Sequence, residues 1–398
     1  MIKKKIAIVH DKLNIGGTEK ALLSMLKFFD YEKYDVTLWL MDGNGELLSE
    51  LDSRAHVRYF TNDSYAGRSL VVEYLKRGQI FELIRAVYYR RKSKHLLNFY
   101  FENLKYSIYS LPLITEEEYD CVIVYQGLYL HLLATALHRF KAKKKATWIH
   151  MKFNHNEEQI KSFGPIYEKF DKIFCVSKDL KDHFEEVYGM SEKTEVFHNC
   201  FDIEEIRKKA EEKIDWNHDD KDVLVTVGRI SKEKGQLMIP EIAGKLKENG
   251  YDFVWLIIGD GAKKEQLFSE IVDKKLEGTV LILGNKKNPY PYIKKSTVYV
   301  QPSLSEGFCT STVEAKILGK PIVTTDVAGM NEQFRNEYDG IVVKDISPEG
   351  IFEKLWDLCR SEELQQKLRD NASKAPLDTN RELLKFDQLM GEDNDGNK

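Results

Sequence analysis

The sequence predicts an α/β protein built from two doubly wound halves, and three observations support this fold class. First, its 398 residues exceed the usual size of one domain, so we expect two domains. Second, short apolar runs recur along the chain, each followed by glycine or polar residues and then by a helical pattern. Third, these runs show little polar alternation, which is typical of parallel strands covered on both faces.

The N-terminal half begins with a predicted strand at residues 6–9. The apolar residues that follow have the spacing of one helix face: Ala21, Leu22, Met25, Leu26 and Phe29. Further strands of this half are predicted at residues 36–40, 121–125, 146–149, 173–176 and 196–197. Strands that alternate with helices in this way indicate one doubly wound sheet.

A charged stretch at residues 204–222 precedes a second series of strands. These are predicted at residues 223–227, 253–258, 280–283, 298–300, 322–324 and 341–343. We therefore predict an N-terminal domain at 1–203, a C-terminal domain at 204–375, and a helix with a disordered tail at 376–398. Open α/β sheets bind ligands beyond the carboxyl ends of their strands, so we expect the site in a cleft between two facing domains.

The composition excludes several classes of protein. Hydrophobic residues make up 42% and charged residues 31%, as in a folded globular protein. The 60 basic and 64 acidic residues give a net charge of -4, so we expect no nucleic-acid partner. The five cysteines lie far apart without a C-x-x-C pair, which favours a reducing cytosol. The first apolar run is too short for a signal peptide or a membrane span, so we expect a cytoplasmic protein.

The loop after the first strand carries Gly16 and Gly17 directly before a helix. Glycines at such a turn let the backbone approach a ligand, and helix N–H groups then face an anion. The alternative is a flexible turn in which Thr18 is the N-cap. The G-x-G-x-x-G motif is absent here and after Val227, and no P-loop motif occurs, which argues against dehydrogenases and P-loop proteins.

The loop after Val227 carries charged residues at the expected mouth of the second domain. Arg229 and Lys234 follow Gly228 and have the chemistry to converge on a diphosphate, the arginine by its fork and the lysine as a point charge. The alternative is a solvated, charge-rich loop. The next strand ends in Gly259-Asp260-Gly261, for which a tight turn is the favoured interpretation.

The segment at residues 301–315 is the most informative part of the chain. Pro302 ends a strand, and small polar residues then lead into a helix, so the N–H groups of Phe308, Cys309 and Thr310 are expected to form an anion site. Glu306 lies in the loop, whereas Glu314 lies about a turn and a half inside the helix. The two carboxylates therefore reach different parts of one ligand, unlike a hydrolase acid/base pair.

Taken in order, these motifs resemble the retaining glycosyltransferases of the large GT4 group, which have the GT-B fold of two facing Rossmann-like domains. The resemblance covers most of the chain, and its most specific element is the pair Glu306 and Glu314 in an E-x7-E pattern. Its other pieces are Gly16-Gly17-Thr18-Glu19, Gly228-Arg229, Lys234-Gly235, Gly259-Asp260-Gly261, Pro302-Ser303, Gly307-Phe308 and Ala315.

The resemblance implies that the N-terminal domain binds the acceptor and the C-terminal domain binds the nucleotide-sugar. It also implies a role for each matching residue. Arg229 and Lys234 would hold the donor diphosphate and offset the charge on the leaving nucleoside diphosphate. Glu306 would contact the donor sugar and Glu314 the ribose. The remaining donor-binding residues would be Gly16, Gly17, Gly228, Gly307, Phe308, Cys309 and Thr310, with Gly16 and Gly17 reaching the phosphate when the cleft closes.

His150 matches a family histidine near the reacting sugar, and a strand-end core histidine is the alternative interpretation. The family also implies a front-face retaining mechanism in which cations neutralise the leaving group, so we expect no metal or other cofactor. Two D-x-D runs, at 220–222 and 393–395, are poorly placed to hold a metal-nucleotide. Cys309 departs from the family, which commonly has glycine there, and this bears on donor preference.

Residues 66–110 differ from the rest of the N-terminal half. They contain nine basic and three acidic residues, many aromatics, and an apolar stripe beside an arginine cluster. This pattern is typical of a helix on an anionic membrane, and an ordinary packed helix is the alternative. Together with the basic residues at 139–145, it predicts a glycan acceptor carried on a membrane lipid, and a protein peripheral to the inner face of the plasma membrane.

The sequence thus predicts a glycosyltransferase that transfers a hexose or N-acetylhexosamine during capsule, exopolysaccharide or other cell-surface glycan synthesis. UDP is favoured over GDP on family frequency alone. The alternatives are a sugar-nucleotide epimerase or a phosphorylase of the same fold, and a partner subunit that binds the sugar nucleotide without catalysis.

Overall fold

The computed structural model describes residues 2–60, 75, 80–95, 100–109, 111–215, 220–372, 374 and 379–391. Of the basic segment 66–110, the described parts are therefore residue 75, 80–95 and 100–109. The rest of that segment and the tail from residue 392, which includes the second D-x-D run, lie outside the described residues.

The chain forms two compact units. Unit 1 comprises residues 1–14, 25–198 and 379–398, and unit 2 comprises residues 15–24 and 199–378. The short segment 15–24, which holds Gly16 and Gly17, is thus part of unit 2 although it follows the first strand of unit 1 in the chain.

Unit 1 contains a seven-stranded parallel sheet in the order β3-β2-β1-β4-β5-β6-β7. Its strands are β1 Lys4–His10, β2 Tyr34–Leu40, β3 His56–Tyr59, β4 Glu118–Val124, β5 Lys141–Ile149, β6 Lys172–Cys175 and β7 Thr194–Val196. The first helices in the chain are α1 Gly17–Phe28, α2 Ile80–His95, α3 Tyr100–Tyr109, α4 Leu130–His138, α5 Glu157–Tyr167 and α6 Lys178–Tyr188, with a 3-10 turn at Leu48–Glu50.

Unit 2 contains a six-stranded parallel sheet in the order β10-β9-β8-β11-β12-β13. Its strands are β8 Asp222–Val227, β9 Phe253–Ile258, β10 Val280–Gly284, β11 Val298–Gln301, β12 Ile322–Thr325 and β13 Ile341–Val343. Its helices are α7 Ile203–Lys209, α8 Ile239–Glu248, α9 Lys264–Asp273, α10 Tyr290–Lys295, α11 Thr310–Ile317, α12 Met330–Gln333, α13 Pro348–Cys359 and α14 Glu362–Ala372, with a 3-10 turn at Gln236–Met238.

Both faces of the unit 2 sheet are covered, because alternate side chains of each strand enter different cores. On β8, Leu224 enters one core, whereas Val223 and Val225 enter the other. The second core also receives Val313 and Ile317 of α11. Burial on both faces explains why the strands are apolar without alternation.

A last helix, α15 Thr379–Met390, packs within unit 1. The ring of Phe386 lies 5.2 Å from Phe29 and 5.6 Å from Tyr34, and the Tyr34 hydroxyl donates to Asp387 at 2.7 Å. Glu382 accepts a hydrogen bond from the backbone N–H of His198 at 3.0 Å. The helix is therefore held by both apolar and polar contacts.

The predicted fold class is confirmed, and every strand predicted from an apolar run is present. One strand was missed. β3 lies at the sheet edge, and its four residues are exposed or half-buried, so its sequence carries no apolar run. An edge strand exposed in this way lacks the pattern that identifies buried strands.

The basic residues at 139–145, which the sequence analysis assigns to a basic surface, contact nearby carboxylates and backbone carbonyls. Lys141 pairs with Glu116 at 2.8 Å, and Lys143 pairs with Asp120 at 2.7 Å. Arg139 is buried and donates to a backbone carbonyl, and Lys144 donates to another in α15. Their charges are engaged in local contacts, and the predicted role of these residues at a membrane stays a prediction.

Candidate functional site

The predicted donor residues of unit 2 gather at one point of its sheet. The chain leaves β8 towards one side and β11 towards the other, so the strand order reverses between these neighbouring strands. Ligands of open α/β sheets bind in the crevice at such a reversal. The loop 228–235 follows β8 and the loop 302–309 follows β11, so both lie at this crevice.

Backbone contacts join these two loops. The N–H groups of Leu304 and Ser305 both donate to the carbonyl of Glu233, at 2.8 and 3.1 Å. Gly235 has a left-handed φ of 69°, and a Cβ built there would lie 1.8 Å from the carbonyl oxygen of Pro302. Only glycine fits this backbone conformation and this close approach.

Lys234 and Glu306 form an ion pair where the loops meet. The Lys234 Nζ lies 2.8 Å from each carboxylate oxygen, and both side chains are largely shielded from water. Burial opposes the lysine charge, but the Glu306 carboxylate outweighs it and raises the pKa of Lys234 above its ordinary value. Arg229 differs, since its side chain is 64% exposed and its guanidinium lies 3.7 Å from Glu233. The site therefore has one fixed cation and a second at its rim.

The sequence analysis assigned no role to the polar residues behind Glu306. Ser303 donates to Glu306, Gln301 donates to Ser303, and Tyr299 donates to Gln301. All three are fully buried. Alternation along β11 places Tyr299 and Gln301 on one face, which is a usable sequence signal, but nothing local indicates that this face continues to Glu306.

Helix α11 begins beside the first turn of α1. Its N-cap residue, Cys309, provides no side-chain hydrogen bond to the helix. A Cβ at Gly17 would lie 2.8 Å from the Thr310 hydroxyl, so glycine permits the close approach, and the carbonyl of Gly16 accepts from the N–H of Lys20 at 3.0 Å. The N-termini of α1 and α11 are therefore neighbours, and both favour negative charge.

Glu314 lies deeper in α11 and is buried. The hydroxyl of Tyr290 donates to it at 3.1 Å, and the Lys20 ammonium lies 4.9 Å from the centre of the Tyr290 ring. Burial raises the pKa of the Glu314 carboxyl, while Lys20 and Tyr290 oppose that rise. Tyr290 and Lys20 are further neighbours that the sequence analysis missed, because they come from distant segments.

The other predicted residues of this segment also lie at the start of α11. Gly307 and Cys309 are buried, and the Phe308 ring lies 6.4 Å from that of Phe201. Burial raises the pKa of the Cys309 thiol, and the nearby Glu306 carboxylate acts in the same direction. The buried thiol therefore stays protonated near pH 7 and adds no charge to the site.

His150 lies in unit 1, at the carboxyl end of β5. Its ring is 4.5 Å from that of Tyr125, on the neighbouring strand end. Burial lowers the pKa of His150 to about 3, with a smaller contribution from His10. The imidazole is therefore neutral near pH 7, and its predicted role near the reacting sugar stays a prediction.

The first D-x-D run lies at the opposite end of the unit 2 sheet. Asp222 begins β8, and its carboxylate accepts from the hydroxyls of Tyr251 at 2.6 Å and Thr297 at 2.9 Å. In the described part of the chain, no group of three or more His, Cys, Asp and Glu side chains is arranged as metal ligands. Nor does any helix in that part combine the length and apolar character needed to span a bilayer.

Two family models match the chain. One, Glycosyltransferase Family 4, matches residues 15–205, and the other, Glycosyl transferases group 1, matches residues 207–375. Together the two models cover most of residues 15–375, and the chain belongs to the GT4-type glycosyltransferases that they describe. The segment of this chain that the group 1 model matches contains the loops 228–235 and 302–309 and helix α11.

Two curated relatives from Campylobacter jejuni are similar over about half of the chain. The N-acetylgalactosamine-N,N'-diacetylbacillosaminyl-diphospho-undecaprenol 4-alpha-N-acetylgalactosaminyltransferase is 30% identical over 52% of this chain and 56% of its own length. The N,N'-diacetylbacillosaminyl-diphospho-undecaprenol alpha-1,3-N-acetylgalactosaminyltransferase is 28% identical over 58% of this chain and 55% of its own. The chain thus spans just over half the length of each relative.

Solved structures confirm the GT-B fold. Anabaena HepE, crystallised in complex with UDP and glucose, superposes with a TM-score of 0.72 over 98% of this chain and 99% of its own, at 16% identity. At this identity the likeness bears on the fold alone. The predicted family and fold are therefore both confirmed.

Proposed function

We propose that this family 4 protein is a retaining glycosyltransferase that transfers a hexose or N-acetylhexosamine from a UDP-sugar to a hydroxyl of a lipid-linked glycan. One observation carries the proposal: at the crevice of the unit 2 sheet, Lys234 in the loop after β8 pairs with Glu306 in the loop that leads into α11. A fixed cation and a helix N-terminus are the groups that stabilise a departing diphosphate.

The proposed reaction breaks the bond between the anomeric carbon and the donor diphosphate. Lys234, held by Glu306, and the N–H groups at the start of α11 take up the negative charge that develops on the leaving group. Arg229 is exposed at the rim and is free to turn onto the diphosphate when the donor binds. The acceptor hydroxyl attacks on the face that the diphosphate leaves, so that the anomeric configuration is retained.

Each carboxylate has a separate part in donor binding. Glu306 accepts hydrogen bonds from the sugar hydroxyls, and Glu314 accepts them from the ribose. The burial of Glu314 and its contact with Tyr290 support a binding role, because a buried carboxylate with few internal donors gains from new ones. The proposed chemistry requires no metal, since the cations of the protein neutralise the diphosphate.

The donor and acceptor are proposed from the relatives. The names of both Campylobacter enzymes specify transfer of N-acetylgalactosamine to a diphospho-undecaprenol-linked saccharide, and HepE binds UDP. We extend these two features to this chain as substrate classes, a UDP-activated sugar and a polyprenyl-diphosphate-linked glycan. The pathway would be the assembly of a cell-surface glycan.

We also propose that α2 binds an anionic membrane and so brings the protein to its acceptor at the inner face of the plasma membrane. Several apolar side chains of α2 are exposed: Ile80, Phe81, Ile84, Val87 and Tyr88. Exposed basic side chains accompany them: Arg85, Arg91 and Lys92. The apolar side chains would enter the lipid, and the basic side chains would bind the anionic headgroups.

A donor screen tests the enzymatic proposal. The protein is incubated with several UDP- and GDP-sugars, with and without undecaprenyl-diphosphate-linked acceptors, and the released nucleoside diphosphate is measured. We expect release from at least one UDP-N-acetylhexosamine or UDP-hexose that increases with acceptor, and a product with the anomeric configuration of the donor. Product with the opposite configuration would contradict retention, and no release from any donor would overturn the proposed activity.

Sedimentation with anionic liposomes at low salt tests the membrane proposal. The variant Phe81→Ser changes a side chain on α2 that is 85% exposed, and Phe268→Ser on α9, 56% exposed, is the matched control. We expect Phe81→Ser, and charge reversal at Arg90, Arg91 and Lys92, to reduce liposome binding several-fold. Equal binding by all of these variants would exclude α2 as the membrane contact.

A further inference from the structure

We propose that Ser303 and Gln301 are positioning residues that set the orientation of the Glu306 carboxylate against Lys234. This inference rests on the proposed function and adds to it, because neither residue is expected to touch the substrate. It depends on a chain of buried hydrogen bonds that ends at Glu306.

The chain has a defined direction at its Glu306 end. Ser303 Oγ lies 2.6 Å from Glu306 Oε1, and the same oxygen also accepts from Lys234 Nζ at 2.8 Å. An ionised carboxylate only accepts hydrogen bonds, so the hydroxyl proton of Ser303 must point to Glu306. Ser303 then has only lone pairs left for its other neighbour.

That neighbour is the side-chain amide of Gln301. Because Ser303 can only accept a hydrogen bond from it, the NH2 group of the amide must face the serine. Gln301 Nε2 donates to Ser303 Oγ at 2.9 Å, and its Oε1 accepts from the Tyr299 hydroxyl at 2.9 Å. In the flipped amide, Oε1 would face the serine, and the single hydroxyl proton could not serve both Gln301 and Glu306. The network therefore has one consistent arrangement.

The far end of the network is attached to the sheet. The Tyr299 hydroxyl accepts from the backbone N–H of Val227, at the end of β8, at 3.4 Å, and it lies 3.3 Å from the carbonyl oxygen of the same residue. Tyr299, Gln301 and Ser303 are fully buried, so water does not compete for these bonds. These hydrogen bonds therefore connect the Glu306 carboxylate, which holds Lys234, to the central strands β8 and β11 of unit 2.

The side chain of Ser303 can be changed without removing the contact that holds its backbone. The carbonyl of Ser303 accepts from the Thr325 hydroxyl at 2.5 Å, so removing Oγ leaves the main chain attached to β12. Ser303→Ala removes the donor to Glu306 and, with it, the acceptor of the Gln301 amide. Ser303→Thr keeps a hydroxyl and is the rescue variant.

A matched control is available in the same unit. Ser296 is buried and its hydroxyl donates at 2.8 Å to the carbonyl of Ile293, at the end of α10. Ser296→Ala therefore deletes one buried serine hydrogen bond that has no connection to Glu306.

The test measures kcat, the donor KM and the Kd for UDP in these variants. For Ser303→Ala we expect kcat to fall about ten- to a hundredfold, the range for losing a hydrogen bond to a charged group, with the Kd for UDP within about twofold of the wild type. Ser303→Thr should recover most of kcat, and Ser296→Ala should retain it. The inference is overturned if Ser303→Ala keeps the wild-type kcat, or if UDP affinity falls in step with kcat.

A second measurement needs no turnover. In crystal structures of Ser303→Ala and Gln301→Leu, we expect Glu306 to rotate and lose at least one of its two contacts with Lys234. Retention of both contacts in both variants would overturn the inference. If the wild type uses no donor, the proposed function fails, whereas these structures still decide whether Ser303 and Gln301 position Glu306.

Discussion

Glu306 and Glu314 lie only eight positions apart, yet their surroundings are opposite in character. Glu306 accepts from a lysine and a serine, so its charge is compensated inside the protein. Glu314 is buried against the neutral hydroxyl of Tyr290, and its pKa is raised by burial. The negative charge of Glu306 is therefore already balanced by Lys234, whereas Glu314 gains more from a ligand that supplies hydrogen-bond donors.

The largest expected effect comes from breaking the compensated pair. Lys234→Met leaves Glu306 buried without its cation and removes the fixed charge opposite the leaving group. We expect kcat to fall about 10²- to 10³-fold, and the unfolding free energy to fall by about 3 kcal/mol. Steady-state kinetics and thermal unfolding measure the two effects.

A double variant separates the stability of the pair from its chemistry. Lys234→Met combined with Glu306→Gln removes both charges, so we expect its melting temperature to rise above that of Lys234→Met while activity stays lost. If the double variant melts below the single one, the cost of an unpaired Glu306 charge is not the cause of the instability.

The same substitution at the two glutamates should change stability in opposite directions. Glu306→Gln leaves Lys234 without its counter-charge and should lower the melting temperature at pH 7, with kcat reduced at least tenfold. Glu314→Gln replaces a carboxylate whose charge is disfavoured by burial with a neutral amide, and should raise the melting temperature. It should also weaken UDP binding about tenfold, through the lost ribose contact.

The difference in stability between Glu314→Gln and the wild type should depend on pH. Because the folded-state pKa of Glu314 is raised above the ordinary 4.5, the native state binds the proton more tightly than the unfolded state. Its contribution to stability is then greatest at low pH, falls as the pH rises above 4.5, and is constant above the folded-state pKa. The advantage of Glu314→Gln should therefore grow from pH 4 to pH 8, and unfolding curves across this range check it.

The smallest effect is expected at Tyr290. Tyr290→Phe removes the hydroxyl that donates to Glu314, and we expect UDP affinity to fall about threefold to fivefold, as for one modest hydrogen bond. Tyr251→Phe is the control, because its hydroxyl also donates to a carboxylate, Asp222, but at the amino end of β8. A loss of UDP affinity in Tyr251→Phe of equal size would show that the effect is not specific to Glu314.

Much of this molecule follows from local sequence patterns. Uniformly apolar runs predict the buried strands, because side chains on both faces of a parallel sheet must be apolar. The glycine and charged residues after β8 and β11 predict the loops that carry the site, since the strand ends are where ligands bind in this architecture. The E-x7-E pair, taken together with the neighbouring glycine and charged motifs, predicts the family from the residues.

Other features depend on contacts between residues that are distant in the chain. Lys234 and Glu306 are 72 positions apart, and Tyr290 and Glu314 are 24 apart, so no periodic pattern pairs them. The edge strand β3 and the inclusion of residues 15–24 in unit 2 are further examples. Residue order determines which chemical groups are available, but burial and pairing depend on which loops fold next to each other. For that reason the sequence predicted which residues follow β8 and β11, whereas the opposite environments of Glu306 and Glu314 required the folded structure.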